Sequence, residues 1–189
     1  MVALGLLLLL CAGCVFAGLP PRPGRGPAAV ESVAELDREM EAIASAIRTH
    51  QGQGPAPESL AWPAPEHVGV SDGFGMREHP ILGVPKEHAG VDITAPTGAK
   101  VVAATDGRVI MVEDLPAYGR VVVIDHGGQV ATVYAHLSAV LVAEGQVVAR
   151  GDRIGHVGAT GGVTGPHLHF ETRRNGVPAD PSEELAVRP

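Results

Sequence analysis

The chain has 189 residues, 45% apolar and 19% charged, enough for one domain with attachments and too apolar for wholesale disorder. Aromatic residues make up only 3%, while 25 glycines and 16 prolines favour a turn-rich β fold over a helical bundle. A formal charge of −7 repels phosphate backbones, so nucleic acid is excluded as a partner.

Residues 1–17, MVALGLLLLLCAGCVFA, form one apolar run too short to span a bilayer comfortably, and they read as the leader of an exported, periplasmic or cell-envelope protein. The run carries no Lys or Arg. Two processing routes fit it. Val15-Phe16-Ala17 suits an ordinary signal peptidase, and Cys11-Ala12-Gly13-Cys14 resembles a lipoprotein box that attaches the protein to a membrane through lipid-modified Cys14. These are the only two cysteines, so the rest of the chain forms neither a disulfide nor a thiolate metal site.

Residues 18–29 are a Pro/Gly tether. Val33, Leu36, Met40, Ile43 and Ile47 then recur at spacings of three and four, which predicts an amphipathic helix over 30–50, too short for a coiled coil and expected to pack on the domain that follows. A linker occupies 51–59, and the remainder to 184 is β in texture, leaving 185–189 as a tail. The segments 100–104, 107–113, 120–125, 129–136 and 167–173 are Val/Ile/Thr-rich and bounded by turn residues such as Asp106-Gly107 and Asn175-Gly176. The fold class is therefore mainly β: an antiparallel sheet domain preceded by an export leader and one helix.

Three clusters carry chemistry. His88 and Asp92 are four apart, but Gly90, Val91, Ile93 and Pro96 oppose a helix, so a loop entering a strand must bring them together. In His167-Leu168-His169-Phe170-Glu171, strand alternation points the two histidines and Glu171 one way, and Leu168 and Phe170 into the core. In Thr132 to Leu137, alternation groups His136 with Thr132 and Tyr134, and Leu137 with Ala131, Val133 and Ala135. With no thiol available, a zinc site must be built from His and Asp, with three protein ligands and an open position for water. His50, His67, His126 and His156 lie in linkers, a turn and a Gly-rich loop and read as solvated.

Trp62-Pro63-Ala64-Pro65, the run Gly73 to Gly83, His88 to Asp92, Tyr134-Ala135-His136-Leu137 and Gly165 to Glu171 together resemble the M23 (lysostaphin/LytM-type) zinc metallopeptidases, in that family's order over about residues 60–184. The resemblance implies a groove in a β-sheet, Zn2+ held by His88, Asp92 and His169, and catalytic assistance from His136 and His167. It also implies peptidoglycan cross-bridges as substrate, hydrolysed by attack of a zinc-bound water. The Gly73–Pro80 segment looks more like the branch acting on D-Ala–diaminopimelate links than the glycyl-glycine branch. Arg77 is placed to pair with a substrate carboxylate or a nearby acid, and His79 to line the groove.

Two other readings remain. A non-hydrolytic relative would activate other wall hydrolases, with its intact site covered by a neighbour such as the 30–50 helix. A lipoyl- or biotinyl-carrier would use hairpins like those at 96–102 and 145–152, but Ala104-Thr105-Asp106-Gly107 offers no lysine at the tip to modify.

Overall fold

The computed structural model describes residues 32–50, 52 and 54–185, so the leader of 1–17 and the tether of 18–29 lie outside the described residues. Among the described residues, one α-helix, α1 (Val33–His50), precedes thirteen strands, and a 3-10 turn (Pro181–Glu183) follows them. The first five are β1 (Gly69–Asp72), β2 (Gly75–Glu78), β3 (Pro85–His88), β4 (Val91–Thr94) and β5 (Lys100–Val102). The long central ones are β6 (Gly107–Leu115), β7 (Gly119–Asp125) and β8 (Val130–Leu137). After them come β9 (Ala139–Val140), β10 (Val147–Val148), β11 (Arg153–His156), β12 (Leu168–Arg174) and β13 (Val177–Ala179).

The main antiparallel sheet runs β1-β4-β12-β8-β7-β6-β10, with β13 extending the β4 side of β12. A small sheet, β5-β11-β9, and the β2-β3 hairpin complete the β structure. Strand alternation divides the apolar residues of the main sheet between two cores. Val91, Ile93, Val122, Ile124, Tyr134, Leu168 and Phe170 face Val101 and Ile154 of the small sheet. Ile110, Val121, Val123, Ala131, Val133 and Ala135 face Ile43 and Ile47 of α1.

The helix forms where the three-and-four spacing places it, and it packs on the sheet as that pattern requires. Its buried stripe also holds an acid. Glu39 accepts hydrogen bonds from the backbone N–H groups of Ala117 and Tyr118 in the β6–β7 turn, at 3.0 and 3.1 Å. Burial raises the carboxyl's pKa, and these donors work against the rise. The second sheet face is thus covered rather than solvated. That is why β12 is buried on both sides except at its end.

Three of the histidines expected in solvent are engaged. His50 ends α1 with its Nδ1 3.0 Å from the Ala46 carbonyl. His67 stacks on Trp62, ring centroids 4.7 Å apart, and its Nδ1 donates to the Ala64 carbonyl. His126 joins a buried polar chain. Its Nδ1 donates to the Asp106 carbonyl, and its Nε2 lies 2.7 Å from the Thr132 hydroxyl, which in turn meets the Tyr134 hydroxyl. Alternation of apolar residues carries no information about such a chain, because its members lie in loops and at single strand positions.

Ile43 is fully buried between α1 and the sheet. Ile43→Ala should cost about 2–5 kcal/mol of unfolding free energy, read as a lowered urea midpoint with an unchanged slope.

Candidate metal centre

β4 and β12 are hydrogen-bonded neighbours, and His169 pairs directly with Asp92. Their backbones approach closely because residue 90 is glycine: a Cβ there would stand 2.2 Å from the Phe170 carbonyl oxygen. His88 ends β3, one turn before β4, and reaches the same point from the other side. His88 Nε2, Asp92 Oδ1 and His169 Nδ1 then lie 3.2, 2.9 and 3.0 Å from one another. Donors about 2.0–2.1 Å from a tetrahedral zinc ion would be separated by roughly 3.3 Å, so the triad has the span such an ion needs.

The remaining contacts decide where the protons are. His88 Nδ1 lies 2.7 Å from the Gly73 carbonyl. A carbonyl only accepts, so this nitrogen carries hydrogen and Nε2 presents its lone pair. His169 Nε2 lies 3.0 Å from Glu171 Oε1 and donates to it, which aims Nδ1 at Asp92. Burial opposes charge on His169, yet the hydrogen bonds and charges of Asp92 and Glu171 outweigh it and push the pKa up to about 9. Burial likewise opposes charge on Asp92, but His169 and His88 hold its carboxyl well below the usual range. A proton and a divalent cation therefore compete for one lone pair.

Behind His169 lies a satisfied polar network. Glu171 is fully buried. Its Oε1 also accepts from the Tyr118 hydroxyl at 2.6 Å, and its Oε2 from Arg173 Nε at 2.5 Å. Burial would raise the Glu171 pKa, but Arg173 and His169 lower it to about 2. Arg173 continues to the Met40 carbonyl of α1 at 3.1 Å. The sequence pattern put Glu171 on the His169 face; β12 packs there against α1 and Tyr118, so Glu171 is buried and becomes the acceptor that orients the His169 imidazole.

His136 reaches the site by an irregularity. Between the pairs Val122↔Tyr134 and Arg120↔Leu137, β8 advances three residues against two on β7, a β-bulge, with His136 in the left-handed region at φ 61°. Simple alternation would leave His136 with Tyr134 and Leu137 with Ala135. Instead Leu137 joins Tyr134 in the core, and the His136 ring turns to within 4.9 Å of His167 and 5.7 Å of His169. His136 Nδ1 donates to the Thr160 carbonyl and His167 Nδ1 to that of Gly165, so in each neutral ring Nε2 carries the lone pair; His167 Nε2 lies 3.6 Å from Asp92 Oδ1. Burial, aided by the charges of His169 and His167, pushes the His136 pKa down to about 3, and burial lowers that of His167.

The structure thus gathers His88, Asp92, His136, His167 and His169 in one cavity of about 270 Å3, which Arg77 and His79 also line. His79 serves its own turn, its Nδ1 accepting from the N–H groups of Ile81 and Leu82. Leu36 and Met40 of α1 form part of one wall, and Asp37 of the helix meets Lys86 of β3 at 2.5 Å.

The model of "Peptidase family M23" matches residues 86–181. The chain is 48% identical over 112 residues to the DD-carboxypeptidase/endopeptidase Mpg of Neisseria meningitidis, a match covering 59% of this chain and 26% of that protein. It is 44% identical to the peptidoglycan DD-endopeptidase ShyB of Vibrio cholerae, over the same shares of the two chains. The chain thus spans about a quarter of the length of these curated relatives. Among solved structures, a zinc-containing peptidase from Vibrio cholerae matches with TM-score 0.62 at 39% identity, over 69% of this chain and 41% of that one. The catalytic domain of lysostaphin from Staphylococcus simulans matches with TM-score 0.55 at 30% identity, over 60% and 89%.

His169→Ala and Asp92→Ala should each lose most bound zinc in the purified protein, whereas His136→Ala and His167→Ala should keep it. Glu171→Gln should weaken zinc binding about 10–100-fold by competition with a chelator.

Proposed function

This chain belongs to peptidase family M23, and from that premise we propose that it is a zinc metalloendopeptidase hydrolysing peptide cross-links of bacterial peptidoglycan, D-Ala–diaminopimelate links in particular. The observation that carries this reading is the convergence of three lone-pair donors beside two imidazoles whose Nδ1 protons are held by backbone carbonyls. His88, Asp92 and His169 hold Zn2+, and His136 and His167 are the catalytic pair. Zinc held there supplies Lewis acidity, polarising the scissile carbonyl and lowering the pKa of water toward about 7.

The two helpers act through Nε2. Each is neutral, with its proton fixed on Nδ1 by a backbone carbonyl, so each can accept a proton from the attacking water. Once protonated, the same atom can donate to the developing oxyanion or to the leaving amine. Assistance of this kind is worth roughly 10²–10⁴-fold. Arg77 and the thin loops of 73–83 and 158–165 surround the site, a shape suited to a slender peptide flanked by small residues. The names of the relatives Mpg and ShyB support a DD-peptide bond as the target. A cell-envelope location follows from such a substrate, and attachment through lipidated Cys14 belongs to the same proposal.

A second reading, a non-hydrolytic regulator of other wall hydrolases, draws on α1, because Leu36 and Met40 narrow the cavity. Digestion of purified cross-linked sacculi with the zinc-loaded full chain separates the two. Uncross-linked stem peptides on intact glycan strands are expected. Free disaccharides would indicate glycan cleavage and lactyl-linked peptides an amidase, and no release would favour the regulator. Cys14→Ser should move the protein from the membrane fraction to the soluble fraction, and persistence in membranes would remove the anchor.

A further inference from the structure

The chemistry above leaves Arg77 without a task. The β1–β4 pairing sets two carboxylates side by side, since Asp72 is the cross-strand partner of Asp92. Arg77 stands between them, with Nη1 3.1 Å from Asp72 Oδ2 and Nη2 3.6 Å from Asp92 Oδ2. Its Nε is buried and, among the described residues, is the one buried side-chain polar atom without a hydrogen-bond partner. A carboxylate is best received by two parallel N–H groups of a guanidinium fork. Arg77 engages each acid through a single nitrogen and leaves Nε idle, an arrangement that a better-placed carboxylate would improve.

Charge points the same way. Histidines aside, the ionic side chains lining the cavity are Asp72, Arg77, Lys86, Glu87 and Asp92, a formal sum of −1, or −2 with the Asp37 carboxylate that pairs with Lys86, which a divalent cation at the triad would offset. Lys86 is already engaged by Asp37. A metal sharing Asp92 would loosen that acid's hold on Arg77. The Asp72 side chain is 39% exposed and free to turn into water. With those carboxylates offset by a cation at the triad and Lys86 held by Asp37, Arg77 is the lining cation left to receive an anion.

We propose that Arg77 is a specificity-determining residue that binds a free carboxylate on the amine side of the scissile bond. The inference rests on the hydrolase reading and narrows its substrate. In a D-Ala–diaminopimelate cross-link, and equally at a D-Ala–D-Ala terminus, the carbon bearing the scissile nitrogen also bears a free carboxylate. An interior bond of a glycine bridge has an amide there instead. Through Asp92, whose other oxygen belongs to the triad, the guanidinium sits one side chain from the metal-binding atoms, within reach of a carboxylate one carbon from the scissile nitrogen.

The test uses two acyl-D-Ala–diaminopimelate peptides that differ only in whether that carboxylate is free or a carboxamide. Binding is measured by calorimetry to the zinc-loaded full chain carrying His167→Ala, and initial rates are measured with the native chain. The free acid should bind about 10–100-fold more tightly, the discrimination expected of a charged hydrogen-bonded pair. Adding Arg77→Gln should abolish that preference with zinc content unchanged, and Arg77→Lys should restore part of it. Equal binding of the two peptides by the parent, or a preference that survives Arg77→Gln, overturns the proposal. So does loss of zinc in both Arg77 variants, which would make the guanidinium a support for Asp92 alone. An Arg77-dependent binding preference in a chain that hydrolyses neither peptide supports the proposal and sinks the hydrolase reading.

Discussion

Three lone-pair-bearing atoms about 3 Å apart repel one another unless a cation lies among them. Much of the domain serves to hold them there. The β4–β12 ladder fixes two of the three side chains as direct cross-strand partners, so their separation is a property of the sheet and not of a flexible loop. The third comes from the end of a hairpin whose Gly73 carbonyl orients its ring. Water plays little part in relieving the repulsion, because His88 and His169 are each 7% exposed. A buried cluster of this polarity is costly to fold without a proton or a metal, and the carboxylates of Asp92 and Glu171 favour a proton on His169.

The support behind the cluster is continuous with the helix. Glu171 holds His169, Arg173 holds Glu171, and the Met40 carbonyl holds Arg173, while Glu39 pins the turn that presents Tyr118 to Glu171. Glu39, Tyr118, Glu171 and Arg173 thus partner one another or the backbone, as a low-dielectric interior demands. α1 is therefore joined to the metal centre twice, through its backbone and through a buried acid. The same helix contributes Leu36 and Met40 to the cavity wall, so stability and access to the site are set by one element.

The sequence made some of this legible and left the rest hidden for physical reasons. The apolar periodicity of Val33 to Ile47 marked the helix, and Val/Ile/Thr runs between turn residues marked the long strands, because both patterns report directly on which side chains are buried. His88, Asp92, His136, His167 and His169 could be chosen because they belong to motifs that recur together in one order. Alternation failed at His136, where a single extra residue reverses the faces, and nothing in Tyr134-Ala135-His136-Leu137 announces a bulge. The role of Glu171 was out of reach for a different reason. Its face is buried by a helix more than a hundred residues earlier in the chain, and such long-range burial leaves no local trace.

Gly90 contributes no polar side chain, yet the centre depends on it as heavily as on the imidazoles. Any larger residue would collide with the Phe170 carbonyl and the Glu171 side chain and push β4 away from β12. A natural variant or distant homologue could therefore retain all five polar side chains and still have lost the site through a single methyl group. Judging which descendants of this scaffold keep the cluster's geometry requires reading Gly90 between His88 and Asp92, not only the five polar side chains.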